Sequence, residues 1–95
     1  MTAPELAVKH NPQAGRFEVE REGNLAVLEY LLQEGKIVFI HTGVPSALEG
    51  QGIGSRLARA GLDHARAQGL KVVPLCSFIA AYIQKHPEYQ DLLAK

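Results

Sequence analysis

Three glycines in five positions, Gly50-Gln51-Gly52-Ile53-Gly54, run into Ser55 just where the apolar pattern changes from strand-like to helical. Glycines at such a junction let the backbone turn sharply and let a ligand approach the main-chain amides. The amides of a helix's first turn have no partner within the helix, and the helix dipole adds partial positive charge there. A pyrophosphate fits such a site without a basic side chain. The same residues could equally form only a tight strand-to-helix turn. No Gly-Lys-Ser/Thr follows, so the loop is not a nucleoside-triphosphate P-loop. Its spacing is not G-x-G-x-x-G, and it follows a meander instead of the first strand of a βαβ unit, which argues against a dinucleotide site.

Cys76 and His41 are the other residues with chemical potential. Cys76 falls where a strand ends and a helix begins, a position that favours the thiolate and hence a nucleophile or proton carrier. A small buried hydrophobe is the alternative reading. His41 closes the most apolar strand and could take a proton from an amine, or simply hydrogen-bond to backbone. Strict alternation puts it on the face of Phe39 and Gly43. His10, His64 and His86 have weaker claims, and no pair of histidines or His with Cys76 has metal-ligand spacing, so no metal is expected.

Ten basic residues balance ten acidic ones. No global field draws the chain to nucleic acid or an anionic membrane, and any anion must be captured locally. The single cysteine excludes an intramolecular disulfide. Met1–Lys9 lacks a basic segment leading into an apolar run, and no apolar stretch approaches the ~18 residues of a membrane span. A reduced, soluble, cytoplasmic protein is expected.

Ninety-five residues suit one domain over 1–95. Leu6–His10, Gly15–Arg21, Leu25–Leu32 and Lys36–Val44 read as strands, with a turn at Gly23-Asn24. The unbroken run Ile37–Ile40 suggests a strand covered on both faces. From Ile53 to Gln68, the residues Ile53, Leu57, Ala58, Gly61, Leu62 and Ala65 recur at helical spacing. Arg56, Arg59, Asp63 and Arg66 take the opposite, solvated face, and Gly69 stops the helix. Leu70–Leu75 reads as a buried strand. Ser77–Lys85 reads as a helix burying Phe78, Ile79, Tyr82 and Ile83, and Glu88–Ala94 adds a final turn or two. The expected class is α+β: a single, mostly antiparallel sheet with a crossover helix and a C-terminal helix.

Val44-Pro45, a short spacer and Gly50-Gln51-Gly52-Ile53-Gly54 leading into Leu57-Ala58 resemble the acyl-coenzyme A (CoA) motif of the GCN5-related N-acetyltransferases. That motif, Arg/Gln-x-x-Gly-x-Gly/Ala, falls on Glu49, Gly52 and Gly54. His41-Thr42-Gly43-Val44, Cys76-Ser77-Phe78 and His86-Pro87-Glu88-Tyr89 resemble the short YjdJ-like branch of that superfamily.

The resemblance implies an acetyl-CoA-dependent N-acetyltransferase acting on an unidentified amine. Val44, Gly50, Gln51, Gly52, Ile53, Gly54 and Ser55 would hold CoA, and the pantetheine arm would lie where the strands ending at Val44 and Leu75 splay apart. Backbone groups near Thr42–Val44 would polarise the thioester carbonyl, as an oxyanion hole does. Cys76 would lie beside the CoA sulfur, with His41 as candidate base. A non-catalytic acyl-CoA-binding or sensing module is the alternative. Two departures stand out. Glu49 is acidic where the family has arginine or glutamine, and the N-terminal helices with which larger relatives build an acceptor pocket are missing. A homodimer could supply that wall.

Overall fold

Alternation of apolar and polar side chains builds the first half of the chain into a meander. In the computed structural model, which describes residues 7–94, β1 (Lys9–Asn11), β2 (Arg16–Arg21), β3 (Asn24–Gln33) and β4 (Lys36–Gly43) pair antiparallel in that order. Phe17 and Val19 sit opposite Leu28 and Ala26, and all four are buried on one face. The β2–β3 turn falls one residue earlier than expected, with Glu22 and Gly23 both left-handed and Asn24 opening β3. That pair of positive φ angles matches the twist of a tight hairpin. Of the expected strand Leu6–His10, Leu6 lies outside the described residues, and β1 continues to Asn11.

β5 (Lys71–Pro74) lies parallel to β4 and completes a five-stranded sheet in the order β1-β2-β3-β4-β5. Between the parallel strands runs α1 (Ile53–Ala67), which buries the expected six residues: Ile53, Leu57, Ala58, Gly61, Leu62 and Ala65. Gly61 has a packing reason. A Cβ there would lie 2.8 Å from Leu28 Cδ2 and 2.9 Å from Phe39 Cε1, so only a bare backbone lets α1 approach the sheet this closely. The helix ends on paired bonds from Leu70 N–H to the Ala65 carbonyl and from Gly69 N–H to that of Arg66, the Schellman arrangement.

α2 (Ser77–Lys85) buries Ile79, Tyr82 and Ile83 in the same core, but not Phe78, which is 40% exposed. A 3₁₀ turn over Pro87–Leu92 follows, and Leu93 bridges to Val72 beside β5. This segment is tied to α1. Arg66 makes two hydrogen bonds to the Asp91 carboxylate, and the Tyr89 hydroxyl donates to Asp63 at 2.7 Å. Arg66 and Asp63 are therefore docking residues, not the purely solvated face expected of them. Burial, with the Asp63 bond second, pushes the Tyr89 hydroxyl pKa up to about 12.

Both helices pack on one face of the sheet. On the other face Leu31 stays 54% exposed. Ile37, Val38 and Phe39 of β4 are buried as expected, yet Ile40 is not; β5 buries only Val72, and Leu75, just past its end, is exposed. A β-bulge accounts for Ile40. Tyr30 pairs with Phe39 and the adjacent Glu29 with His41, leaving Ile40 as the extra residue.

Candidate functional site

The loop between β4 and α1 is anchored by Leu48, buried in a short 3₁₀ turn over Ser46–Leu48. Beyond Glu49 the backbone enters the left-handed region twice, at Gly50 (φ +83°) and Gly52 (φ +72°), conformations that cost a residue bearing a Cβ roughly 1–2 kcal/mol. Gly52 is the cap residue of α1. It has no side chain to offer, and the first turn of α1 contains no acidic residue. The chain thus starts its longest helix with amides that no side chain caps, where serine or aspartate would ordinarily serve.

That helix start lines a cleft of about 270 Å³. Six of the residues expected to hold a cofactor border it: Val44, Gly50, Gly52, Ile53, Gly54 and Ser55. Gln51, the seventh, is exposed in the loop but is not part of the lining. Leu48, Glu49 and Phe78 complete the wall. Phe78 rests against Gly54, where a Cβ would come within 3.0 Å of the ring. Sequence periodicity placed Phe78 in the core; its role as a cleft wall follows from α2 crossing the start of α1.

Next to the cleft the sheet opens. β4 and β5 pair only from Lys36 with Lys71 to Phe39 with Pro74, and Cys76 N–H closes the pairing with a 2.9 Å bond to the Phe39 carbonyl. Beyond that point β4 pairs with β3 alone, so its edge over Ile40–Gly43 has no β5 partner. Cys76 immediately precedes α2 at this opening and is 8% exposed. Its sulfur lies 3.1 Å from Thr42 Oγ1, a contact across 34 residues of sequence that the sequence reading missed.

His41 is elsewhere. The bulge at Ile40 reverses the alternation, so His41 sits opposite Glu29 on the open face, away from the face of Phe39. It does share a face with Gly43, as expected, and its ring covers that glycine: a Cβ on Gly43 would lie 3.0 Å from His41 Nε2. His41 and Cys76 therefore flank the same end of β4 from opposite sides of the sheet. Among the described residues no group of three or more His, Cys, Asp or Glu is arranged to hold a metal ion, and no helix is long and apolar enough to cross a membrane.

A mostly antiparallel sheet, whose one parallel pair parts beside an uncapped glycine-rich helix start, defines a small acyltransferase-type α+β fold. The chain belongs to the GCN5-related N-acetyltransferase family, whose pattern (GCN5-related N-acetyl-transferase) matches residues 16–92. It is 37% identical over 90 residues to Protein NATD1 of Mus musculus and 36% identical to Protein NATD1 of Homo sapiens, covering 92% of this chain in each case and 82% and 80% of those proteins. A GCN5-like protein of Staphylococcus aureus, solved in solution by NMR, superposes with a TM-score of 0.73 at 34% identity, over 94% of this chain and 88% of that one.

Proposed function

We propose that this chain transfers an acetyl group from acetyl-CoA to an amine. The observation that carries the reading is continuity: an uncapped helix start lines a cleft beside a stretch of unpaired β4 edge, which ends at the Cys76–Thr42 contact. The cradle suits a pyrophosphate. A Cβ at Gly50 or Gly52 would meet nothing within 4 Å, so the loop leaves open space beside its amides. Bound there, acetyl-CoA would supply an activated acyl thioester.

The chain's own residues divide the remaining work. The free main-chain groups of Ile40–Gly43 would pair with an extended arm and polarise a carbonyl lying along them. His41, on the open face, would receive the proton that the amine nitrogen gives up as it bonds to the acyl carbon. The departing thiolate would take up a proton from solvent near Cys76 and Thr42, and His41 would release the amine's proton to solvent. The position of His41 supports an acceptor arriving from the face opposite the helices.

A non-catalytic acyl-CoA-binding module is the second reading, favoured by the bare sheet face around Leu31, which offers an amine no enclosing wall. A second copy of the chain laid over that face would supply one. Thermal melting with and without CoA, followed by turnover of acetyl-CoA with amines, tests both readings. Ligand at about 100 times its dissociation constant stabilises by about 2.7 kcal/mol, so saturating CoA should raise Tm clearly. Absence of any shift at millimolar CoA overturns both readings. A shift without turnover leaves the binding module.

A further inference from the structure

On the sheet face opposite the helices, Glu29 of β3 and His41 of β4 stand directly across from each other. The bulge creates this pair, since unbroken alternation would set Ile40 beside Glu29 and turn His41 to the core face. Side chains opposed in this way start about 5 Å apart and rise together from the sheet.

The carboxylate of Glu29 has no cation of its own. Arg16 lies opposite it on β2, but the Arg16 guanidinium is committed to Glu18, which also accepts a 3.0 Å bond from Asn11 Nδ2–H. Arg16 and Glu18 neutralise each other. Among the described residues the ion pairs are Arg16–Glu18 and Arg66–Asp91, and Glu29 is in neither. Negative charge is therefore left over beside His41. Two residues along β3 on the same face is Leu31, 54% exposed, which pairs with Val38 and through it with Val73. At the rise of a strand, Leu31 is about 7 Å from Glu29. A hydrocarbon stem of about five carbons covers that distance.

The face presents side chains and no free backbone, because β3 pairs with β2 on one side and β4 on the other. A peptide laid over Leu31 would lose hydration of its amides without replacement, a cost that a hydrocarbon does not carry. We propose that Glu29 is the specificity residue for the acceptor: it receives the ammonium group of a free alkylamine beside His41, with the hydrocarbon stem over Leu31. The assignment rests on the acetyl-transfer reading above and names its acceptor class. A neutral acceptor such as an alcohol forfeits the carboxylate, and a short amine forfeits Leu31. The bound ammonium sheds one proton to solvent before its nitrogen attacks, and His41 takes the second.

NMR titrations with n-hexylamine, n-hexanol and ethylamine test it without turnover. Hexylamine should shift the amide signals of Glu29, Leu31 and His41, and bind about threefold to fivefold more tightly than hexanol at low salt. It should bind about tenfold more tightly than ethylamine, because its longer chain is partly buried on Leu31. Glu29→Gln should erase the preference over hexanol, and Leu31→Ser the preference over ethylamine, with little change in Tm. Equal affinities for hexylamine and hexanol, or a preference unaltered in Glu29→Gln, would overturn the assignment. Tighter binding of Nα-acetyl-lysine methylamide would overturn it in favour of a protein lysine. A dimer in sedimentation that is lost in Leu31→Ser would give the face to a second copy and overturn it too. A CoA-induced rise in Tm with no hexylamine binding would overturn the acceptor class alone. Hexylamine binding with no such rise would overturn its acceptor role together with the acetyl-transfer reading.

Discussion

Thr42 Oγ1 and Cys76 Sγ meet at 3.1 Å, joining the end of β4 that has no β5 partner to the residue just before α2. The contact puts the chain's one thiol at the mouth of the strand opening, on the core side of the sheet. If the acyl group passes through Cys76, the thiol gives up its proton, gains the acyl carbon and releases CoA as a free thiol. Cys76→Ser can still hydrogen-bond to Thr42 but offers a far weaker acid. It should then lose turnover by orders of magnitude while the CoA-induced rise in Tm survives. Wild-type protein incubated with acetyl-CoA and no amine should carry an acetyl mass on the peptide containing Cys76. Turnover near the wild-type rate in the serine variant would reduce Cys76 to packing.

His41 acts, on this reading, from the opposite face. His41→Gln should lower kcat/KM by roughly a hundredfold or more, the usual effect of removing a positioned base. CoA binding should be unchanged. Gly43→Ala should move the imidazole, because a new Cβ meets Nε2 at 3.0 Å. Its activity should fall without a comparable fall in Tm.

Glu49 borders the glycine-loop cleft. Replacing it with glutamine removes a charge that opposes a bound pyrophosphate. Glu49→Gln should tighten CoA binding by roughly twofold to fivefold, the range for exposed charges, and more so at low salt. Equal dissociation constants for the two proteins at every salt concentration would show that the carboxylate does not face the phosphates.

Gly61→Ala sets two effects against each other. Alanine gains about 1 kcal/mol of helix propensity. The new Cβ would overlap Leu28 and Phe39 at under 3 Å, and overpacking of this kind costs about 1–3 kcal/mol. Packing should win by about 1 kcal/mol, lowering Tm by roughly 4–8 °C. A thermal melt decides it.

A pH effect on stability should arise at the start of the chain. His10 stacks on Phe17 at 4.3 Å, hydrogen-bonds to the Tyr30 hydroxyl through Nε2 and approaches His64 at 4.5 Å between ring centres. Burial lowers its pKa from 6.5, and the neighbouring His64 lowers it further. As pH falls through 6.5 the unfolded chain takes up the His10 proton before the folded one does. The contribution is therefore fully present above 6.5 and declines toward the lower folded value. His10→Gln should lose less Tm than wild type between about pH 7 and about pH 5. An equal loss would show that other groups govern acid stability.

Most elements of this fold are legible because they are locally encoded. The alternation of Phe17 and Val19, the 3.6-residue recurrence from Ile53 to Ala65 and the stop at Gly69 each depend on neighbours a few residues away. So does the helix start at Gly52, since the three glycines and the absent capping side chain are visible in one short word. These features set the sheet, the crossover helix and the candidate anion cradle before any long-range contact is known.

What tertiary structure decided was parity and proximity. One extra residue at Ile40 moves His41 to the other face of the sheet, and nothing in the Ile37-Val38-Phe39-Ile40 run announces a bulge, because every residue in it is equally apolar. Phe78 leaves the core because α2 crosses the start of α1 with that side chain against Gly54. The Cys76–Thr42 contact and the cleft walled by Phe78 unite residues from different elements. Their positions depend on the register of β4 with β5 and the packing of α2 on α1, which are set by the whole core and not by the residues that form the site.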